Sequence, residues 1–294
     1  MQQQIERDVV ATVESTGGTE ERYNYFRLPF IRALLRMVYA IEMLTVLRVW
    51  HVRRTLDDLL GSFGRNFSVL DMGCGLADYL FLYASSYPQA RFVGVDNVED
   101  NILVCRAYQR LLKLENVAFL HADLGAVQTA AAQDVVLCIT ALQYVDQLGL
   151  AFRNIHDNMV VGGVLVLYQD VYRSRDEESA TRRASYGVRP ESVRKYTAAE
   201  ILTEVANAGF SVDSIRYCQG FFARHAEAMF RGALNTARWS SWVGAVAVGI
   251  ALGLFPIYLL VLWLDFVTTH KSGGGLLVVA RRTPAASRSG PSST

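Results

Sequence analysis

Short runs rich in β-branched residues alternate with longer segments of helical period along the middle of the chain. Seven such runs predict strands, at residues 68–70, 91–95, 117–120, 134–139, 164–168, 210–218 and 276–280. Strands that alternate with helices are typical of a mostly parallel sheet covered by helices on both faces. We therefore predict an α/β fold built on a doubly wound sheet.

Two helical regions lie outside this alternation. Residues 28–60 combine helix formers with arginines spread among apolar positions, which predicts an N-terminal helical layer. This layer could pack on the domain or lie on a membrane, and we favour packing on the domain. The predicted organisation is a helical region at 1–65, a core at 66–219, an amphipathic and apolar helical insertion at 220–275, a final core strand at 276–282 and a disordered tail at 283–294.

Composition narrows the class of protein. Hydrophobic residues make up 51% of the 294 positions, enough for a large globular core. The 29 Lys and Arg residues nearly balance the 28 Asp and Glu residues, so no net field favours a nucleic acid as partner. The four cysteines lack a Cys-x-x-Cys pair and the five histidines are scattered, which predicts reduced thiols and no metal site. Residues 1–10 are polar, unlike a secretory signal, so we expect the protein to start in the cytoplasm.

The clearest candidate for a binding site is the glycine loop that follows the first predicted strand. Residues 69–75, VLDMGCG, end a strand in Asp71 and then turn on Gly73 and Gly75. Glycines at such a turn let the backbone approach a ligand closely. A dinucleotide site would place a third glycine at position 78, where this chain has Asp78. That acid would repel a pyrophosphate, but it serves as a helix N-terminal cap beside a cationic ligand, so S-adenosylmethionine is favoured over NAD.

Two further acids end the next two strands of the predicted sheet. Asp96 follows the second strand, 21 residues beyond Gly75, where a carboxylate can accept hydrogen bonds from ribose hydroxyls. Asp123 follows the third strand, where a carboxylate could accept the adenine amino group's hydrogen bond. Each acid alone could be a solvated strand-end carboxylate. Acids after three successive strands are much harder to explain in that way.

With these motifs the chain resembles the class I S-adenosylmethionine-dependent methyltransferase superfamily over residues 66–218 and 276–282. The resemblance implies a seven-stranded Rossmann-like methyltransferase sheet, with the N-terminal helical layer and with the apolar insertion between strands six and seven. Strand seven should be antiparallel and adjacent to strand six. Ala77 departs from the family, which usually has a third glycine there. The implied cofactor contacts are Asp71, Gly73 and Gly75 for the methionine part, Asp96 and Asn97 for the ribose, Asp123 and Leu124 for the adenine, and Thr140 for the reacting end.

The catalytic residue is less clear than the cofactor site. Tyr144 follows the fourth strand at the position where the family often has a histidine, and it could orient an acceptor or simply pack against the pocket wall. His225, Asp170 and His270 are weaker candidates by placement.

Residues 172–195 carry seven arginines and lysines interleaved with acids. They could bind an anionic acceptor or form a surface loop whose charges pair with one another.

Residues 242–264 form an uncharged apolar segment, long enough to cross a bilayer, since about 20 apolar residues span roughly 30 Å. A single crossing would separate strand seven from its sheet. Because Gly253 and Pro256 can break a helix, we predict instead a re-entrant or interfacial hairpin beside the membrane. Arg224, Arg231 and Arg238 recur at spacings suited to contact with anionic headgroups. The alternative is a buried hairpin or an interface in a homo-oligomer.

These observations predict an enzyme on the cytoplasmic side of a membrane, peripheral or monotopic. It would transfer a methyl group from S-adenosylmethionine to a small lipophilic acceptor, such as an isoprenoid, a sterol, a quinone or a lipid-linked intermediate. The alternative is a non-catalytic methyltransferase-like scaffold that recruits a membrane partner, which the intact Asp71, Asp96 and Asp123 disfavour. A nicotinamide oxidoreductase is disfavoured by Asp78.

Overall fold

A computed structural model describes residues 46–64, 66–145, 147–172, 196–226 and 241–284. Six helices and eight strands are labelled here in chain order. The helices are α1 (Leu47–Ser62), α2 (Asp78–Ser86), α3 (Glu99–Leu112), α4 (Leu148–Asp157), α5 (Ala198–Asn207) and α6 (Ser241–Val267). The strands are β1 (Ser68–Met72), β2 (Arg91–Asp96), β3 (Val117–His121), β4 (Gln133–Ile139), β5 (Met159–Tyr172), β6 (Tyr196–Thr197), β7 (Phe210–Cys218) and β8 (Gly275–Arg282).

The strands form one sheet with the order β3-β2-β1-β4-β5-β8-β7, and the short β6 pairs with β5. β8 runs antiparallel between β5 and β7, whereas β1 to β5 are mutually parallel. All seven predicted strands are confirmed, and so is the antiparallel last strand. β6 was not predicted, because two residues are too few to show a hydrophobic period.

Two hydrophobic clusters cover the two faces of the sheet. One cluster joins apolar residues of α1, α2 and α3 to one face, among them Leu56, Leu80 and Ile102. The other joins apolar residues of α4 and α5 to the opposite face, among them Phe152 and Ile201. Every residue of β1 is buried, as expected of a central strand with helices on both faces. The doubly wound architecture is confirmed.

The apolar insertion differs from its prediction. α6 is one continuous helix of 27 residues with Pro256 inside it, so the predicted hairpin is wrong. A proline removes one backbone hydrogen bond and disfavours a helix interior by about 3 kcal/mol, but it does not require the chain to reverse. The apolar helix formers on both sides of Pro256 continue the helix. Near its C-terminal end α6 packs against α1, where Leu262 contacts Leu47.

Within the part of the chain whose side chains the structure describes, no helix has both the length and the apolarity to cross a membrane. Several predictions concern residues outside the described ranges. They are the helical layer before residue 46, the arginine-rich connection at 173–195, Arg231 and Arg238, and the tail from residue 285.

Candidate cofactor site

The glycine loop turns directly over the end of β2. The backbone N–H groups of Gly73 and Cys74 both donate to the carbonyl oxygen of Val95, at 2.8 and 2.9 Å. Gly73 has a φ of +83°, and a Cβ at this position would lie 2.3 Å from the Cβ of Ala141. Only glycine fits here, because both the left-handed backbone and the close neighbour exclude a side chain. The loop therefore brings bare backbone to the carboxyl edge of the sheet.

Asp96 holds this loop in place. One of its carboxylate oxygens accepts the Gly75 N–H at 2.8 Å, and the other accepts the Val98 N–H at 2.9 Å and the Asn101 side-chain amide at 3.2 Å. Its side chain is almost fully buried. Asp96 thus lies beside the glycine loop as predicted, and its contact with ribose stays a prediction. The hydrogen bond to Gly75 was not foreseen from the sequence.

Asp71 is a buried carboxyl group that lacks hydrogen-bond partners for its charge. It is 2% exposed, and its Oδ1 atom has no hydrogen-bond partner. Burial, together with the smaller effect of the neighbouring carboxylates of Asp96 and Asp78, raises the pKa of Asp71 from 3.8 to about 7. Such a group is stabilised by a cation brought next to it. The methionine ammonium of S-adenosylmethionine has that charge, so the residues present fit the predicted cofactor.

The residues predicted to hold the adenine and ribose lie along the same edge. Asp123 is exposed, and its Oδ1 accepts the Gly125 N–H at 2.7 Å. Leu124 is buried in the cluster on the α4 face. The carbonyl oxygen of Asn97 lies 3.1 Å from Nε2 of His121, which links the ends of β2 and β3. The structure therefore brings Asp96, Asn97 and Asp123 to neighbouring strand ends, as the parallel order requires.

Thr140 and Tyr144 follow β4 at the reacting end of the predicted site. Thr140 has a φ of +53°, and its N–H donates to the carbonyl oxygen of Tyr168 at 2.7 Å. Tyr144 closes a single 3₁₀ turn (Leu142–Tyr144) and is 61% exposed. It does not pack as a buried wall residue, and its role with an acceptor stays a prediction.

The weaker catalytic candidates are dispersed. Asp170 lies near the end of β5 and is paired in register with Gly275 of β8. His225 is exposed in a helical segment at 221–226, where its ring contacts the carbonyl oxygen of Phe221 at 2.7 Å. His270 pairs with the buried Asp265 at 3.2 Å, which gives this histidine a structural partner.

The start of α2 corrects the predicted role of Asp78. The N-cap of α2 is Ala77 in the left-handed conformation, with φ +60° and no side-chain cap, and Asp78 is the first helical residue. Asp78 therefore does not cap the helix, although its charge raises the pKa of Asp71. Ala77, the residue that departs from the family pattern, is buried and holds a backbone conformation that favours glycine.

Sequence reasoning missed one residue of the site, Arg48 of α1. Its Nη1 atom lies 3.5 Å from Oγ1 of Thr140, and its charge lowers the pKa of Tyr79, which burial raises. In the sequence Arg48 is one of several arginines on an apolar helix. Only the packing of α1 beside the sheet distinguishes it from the others.

The chain is similar to known methyltransferases. Residues 64–205 match a family model described as "Methyltransferase domain". The chain is 22% identical over 154 residues to a malonyl-[acyl-carrier protein] O-methyltransferase of Bacillus anthracis, covering 47% of this chain and 56% of that protein. It is 30% identical over 112 residues to a trans-aconitate 2-methyltransferase of Azoarcus sp. (strain BH72), covering 38% of this chain and 42% of that protein. The chain thus spans about half the length of these relatives.

A solved structure has the same fold. The O-methyltransferase from a trans-AT PKS multienzyme of Brevibacillus brevis, in complex with S-adenosyl-L-homocysteine, matches with a TM-score of 0.53 and 16% sequence identity. The match covers 76% of this chain and 69% of that chain. At this level of identity the likeness establishes the fold.

Proposed function

Because the chain belongs to the class I S-adenosylmethionine-dependent methyltransferase superfamily, we propose that it transfers the methyl group of this cofactor to a small, lipophilic acceptor at a membrane surface. The observation that carries the methyl-transfer part is the buried, underpartnered carboxyl of Asp71 beside a glycine loop held by Asp96. A carboxyl with these neighbours favours a cationic ligand over a phosphate.

Different acids at the edge of the sheet would bind different parts of the cofactor. Asp71 would accept hydrogen bonds from an ammonium group, Asp96 from ribose hydroxyls and Asp123 from an adenine amino group. When bound, S-adenosylmethionine supplies a methyl group on a sulfonium, which is open to in-line attack. The protein then contributes mainly the position and orientation of the acceptor, for which Thr140 and Tyr144 stand at the reacting end. Carbon, oxygen and nitrogen acceptors are all compatible with this arrangement.

The two relatives support a small acceptor, since one is a malonyl-[acyl-carrier protein] O-methyltransferase and the other a trans-aconitate 2-methyltransferase. The lipophilic part of the proposal rests on α6. Large apolar side chains of its described part remain exposed, and so do two phenylalanines of the helical segment at 221–226 that follows β7. They are Ile250, Leu254, Ile257, Leu260, Trp263, Leu264, Val267, Phe221 and Phe222.

The position of this apolar surface supports a link to the site. Gly275 pairs with Asp170 of β5 on one side and with Cys218 of β7 on the other. The insertion between β7 and β8 therefore leaves and returns at the carboxyl edge, where Asp71 and Asp96 also lie. An apolar helix at that edge could touch a bilayer while the site opens toward it.

Calorimetric titration tests the cofactor assignment. We expect S-adenosylmethionine and S-adenosylhomocysteine to bind and NAD not to bind. Incubation with a total lipid extract and methyl-labelled S-adenosylmethionine should then place label in the organic phase. Binding without transfer to any lipid or water-soluble acceptor would favour the scaffold alternative, and binding of NAD alone would overturn the proposal.

Vesicle flotation tests the membrane part separately. The full chain should float with vesicles that contain anionic lipid, and the double variant Ile257→Asp/Leu260→Asp should lose about tenfold or more of that binding. A matched control, Leu112→Asp/Val161→Asp at two exposed apolar positions away from α6, adds the same charge and should float like the parent. A parent chain that stays at the bottom of the gradient would exclude a membrane-surface enzyme.

A further inference from the structure

The guanidinium of Arg48, on α1, has no anionic partner in the described part of the protein. Its Nε atom is buried and has no hydrogen-bond partner. None of the ion pairs among the described residues includes it. Its Nη1 atom lies 3.5 Å from Oγ1 of Thr140, which is a long contact with a neutral hydroxyl group. Because an arginine offers five N–H donors in a planar fork, a half-buried guanidinium in this state favours an anionic oxygen group.

Thr140 fixes the place of this guanidinium at the end of β4. The N–H of Thr140 donates to the carbonyl oxygen of Tyr168 in β5 at 2.7 Å, so the residue bridges the carboxyl ends of two neighbouring strands. Its φ of +53° is rare for a β-branched residue, and backbone held in this region is found most often at functional sites. Arg48 and Thr140 therefore form a polar pair at the reacting end of the predicted site.

This polar pair lies on a different part of the sheet edge from the cofactor's predicted contacts. α1 makes its main sheet contacts with β5, β7 and β8. The acids predicted to hold ribose and adenine follow β2 and β3, at the other end of the order β3-β2-β1-β4-β5-β8-β7. The pair thus stands on the side of the edge that remains for the methyl acceptor.

The neighbours of Arg48 on α1 connect this pair to the apolar helix α6. Leu47 is fully buried in a cluster with Leu262 of α6. Trp50 packs edge-on against Phe266 of α6, with ring centroids 5.7 Å apart. An anion-binding side chain beside a large apolar surface suits an amphiphilic molecule, whose charged head and apolar tail need different surroundings.

We propose that Arg48, held beside Thr140, binds an anionic oxygen group of the methyl acceptor, a carboxylate or a phosphate, while the apolar part of the acceptor lies against α6. This inference rests on the proposed function, and it narrows the acceptor from any small lipophilic molecule to an amphiphilic anion. Arg48 is then a specificity-determining residue that contacts the acceptor and not the cofactor.

Probes with the same apolar chain and different heads test this assignment. Octanoate, octyl phosphate and 1-octanol should be titrated by calorimetry into the full chain saturated with S-adenosylhomocysteine. We expect at least one of the two anions to bind tenfold or more tightly than 1-octanol. The tighter of the two anions then identifies the head group as a carboxylate or as a phosphate.

The variant Arg48→Gln should remove this preference. We expect it to weaken the preferred anion about 10- to 100-fold, the usual effect of losing a charge-assisted hydrogen bond, and to leave 1-octanol and S-adenosylhomocysteine within about twofold. Arg53→Gln, on the exposed side of the same helix, is the matched control and should change none of these affinities.

The outcomes separate this inference from the proposed function. Anions that bind the parent no better than 1-octanol, or not at all, would overturn the inference. A loss of S-adenosylhomocysteine affinity in Arg48→Gln as large as the loss for the anion would also overturn it, because Arg48 would then act on the cofactor or on the fold. If the parent did not bind S-adenosylhomocysteine, the proposed function itself would fail.

A second variant guards against misfolding of the first. Arg48→Lys keeps the positive charge but not the planar fork, so its affinity for the preferred anion should lie between those of the parent and Arg48→Gln. Thermal melts of all variants without ligand should be compared, so that a loss of stability is not mistaken for a loss of binding. A Lys variant that binds the anion no better than the Gln variant would contradict recognition by charge.

Discussion

The carboxylate of Asp96 accepts the backbone N–H of Gly75 at 2.8 Å, across 21 residues of sequence. This hydrogen bond joins the end of β2 to the loop that follows β1. Since parallel strands are not connected by a tight turn, some other contact must fix the loop relative to the second strand. Asp96 provides that contact in addition to any bond it makes with a ribose.

Asp96→Asn should loosen the loop as well as weaken ligand binding. One carboxylate oxygen becomes an NH₂ group, which would face a backbone N–H donor and leave it unsatisfied. We expect a loss of about 1–3 kcal/mol in the free energy of unfolding without ligand, measured by urea titration. Asp100→Asn, an exposed change in the first turn of α3, is the matched control and should have little effect. A fully stable Asp96→Asn protein that only binds ligand weakly would show that the Gly75 contact is dispensable.

Asp71 should make ligand binding depend on pH. Its pKa of about 7 lies above its ordinary value, so in the absence of ligand the carboxyl is largely protonated below pH 7. A cationic ligand favours the ionised form, so the affinity for S-adenosylhomocysteine should fall by up to about tenfold per unit as pH decreases below 7. Calorimetry in two buffers of different ionisation enthalpy should detect proton release on binding. In Asp71→Asn the pH dependence should be absent and the affinity low throughout.

The same shift predicts the effect of Asp71 on stability. Because its folded pKa is raised, the folded state without ligand is most favoured at low pH and loses stability as pH rises from about 4 to about 7. Relative to Asp71→Asn, the parent should lose on the order of 4 kcal/mol over that interval. Urea titrations of both proteins at pH 5 and pH 8 measure the difference. An equal gap between the two proteins at both values would contradict a raised pKa.

Gly73→Ala and Gly75→Ala should differ although both glycines have positive φ. A Cβ at Gly73 would meet the Cβ of Ala141 at 2.3 Å, whereas nothing lies within 4 Å of a Cβ at Gly75. We expect Gly75→Ala to lose about 1–2 kcal/mol from backbone strain alone and Gly73→Ala to lose clearly more. The double variant Gly73→Ala/Ala141→Gly should recover part of the difference, as measured by urea titration. Equal losses in the two single variants would mean that backbone strain alone requires glycine.

Much of this fold was predictable because its signals are local. The period of apolar residues identified the seven strands, and the motif at residues 69–75 indicated a methyltransferase, its cofactor class and the edge of the sheet that carries the candidate site. Acids at the ends of consecutive parallel strands necessarily meet at one edge, so Asp71, Asp96 and Asp123 could be placed without a structure.

The incorrect and missing predictions depend on long-range packing. Pro256 predicted a break in α6, but a proline changes one hydrogen bond and the flanking helix formers outweigh it. Arg48 could not be assigned to the site, because only the packing of α1 on the sheet brings its guanidinium to Thr140, 92 residues further along the chain. The conformation of Ala77 was also hidden, since an alanine gives no sign that it is held at positive φ.

His51 of α1 should make the folded protein sensitive to acid. It is 2% exposed, its Nε2 has no hydrogen-bond partner, and its ring lies 4.7 Å from that of Phe266 in α6. Burial, together with the smaller effect of the Arg216 charge, lowers the pKa of His51 from 6.5 to about 4. Because the unfolded chain takes up the proton first, the folded state loses stability as pH falls from about 6.5 toward 4, on the order of 3 kcal/mol in all.

His51→Leu keeps an apolar contact with Phe266, so this variant should lose less stability than the parent over this interval. Urea titrations at pH 7 and pH 5 measure the difference. If His51→Leu lost as much stability as the parent between these values, a group other than His51 would control the acid response.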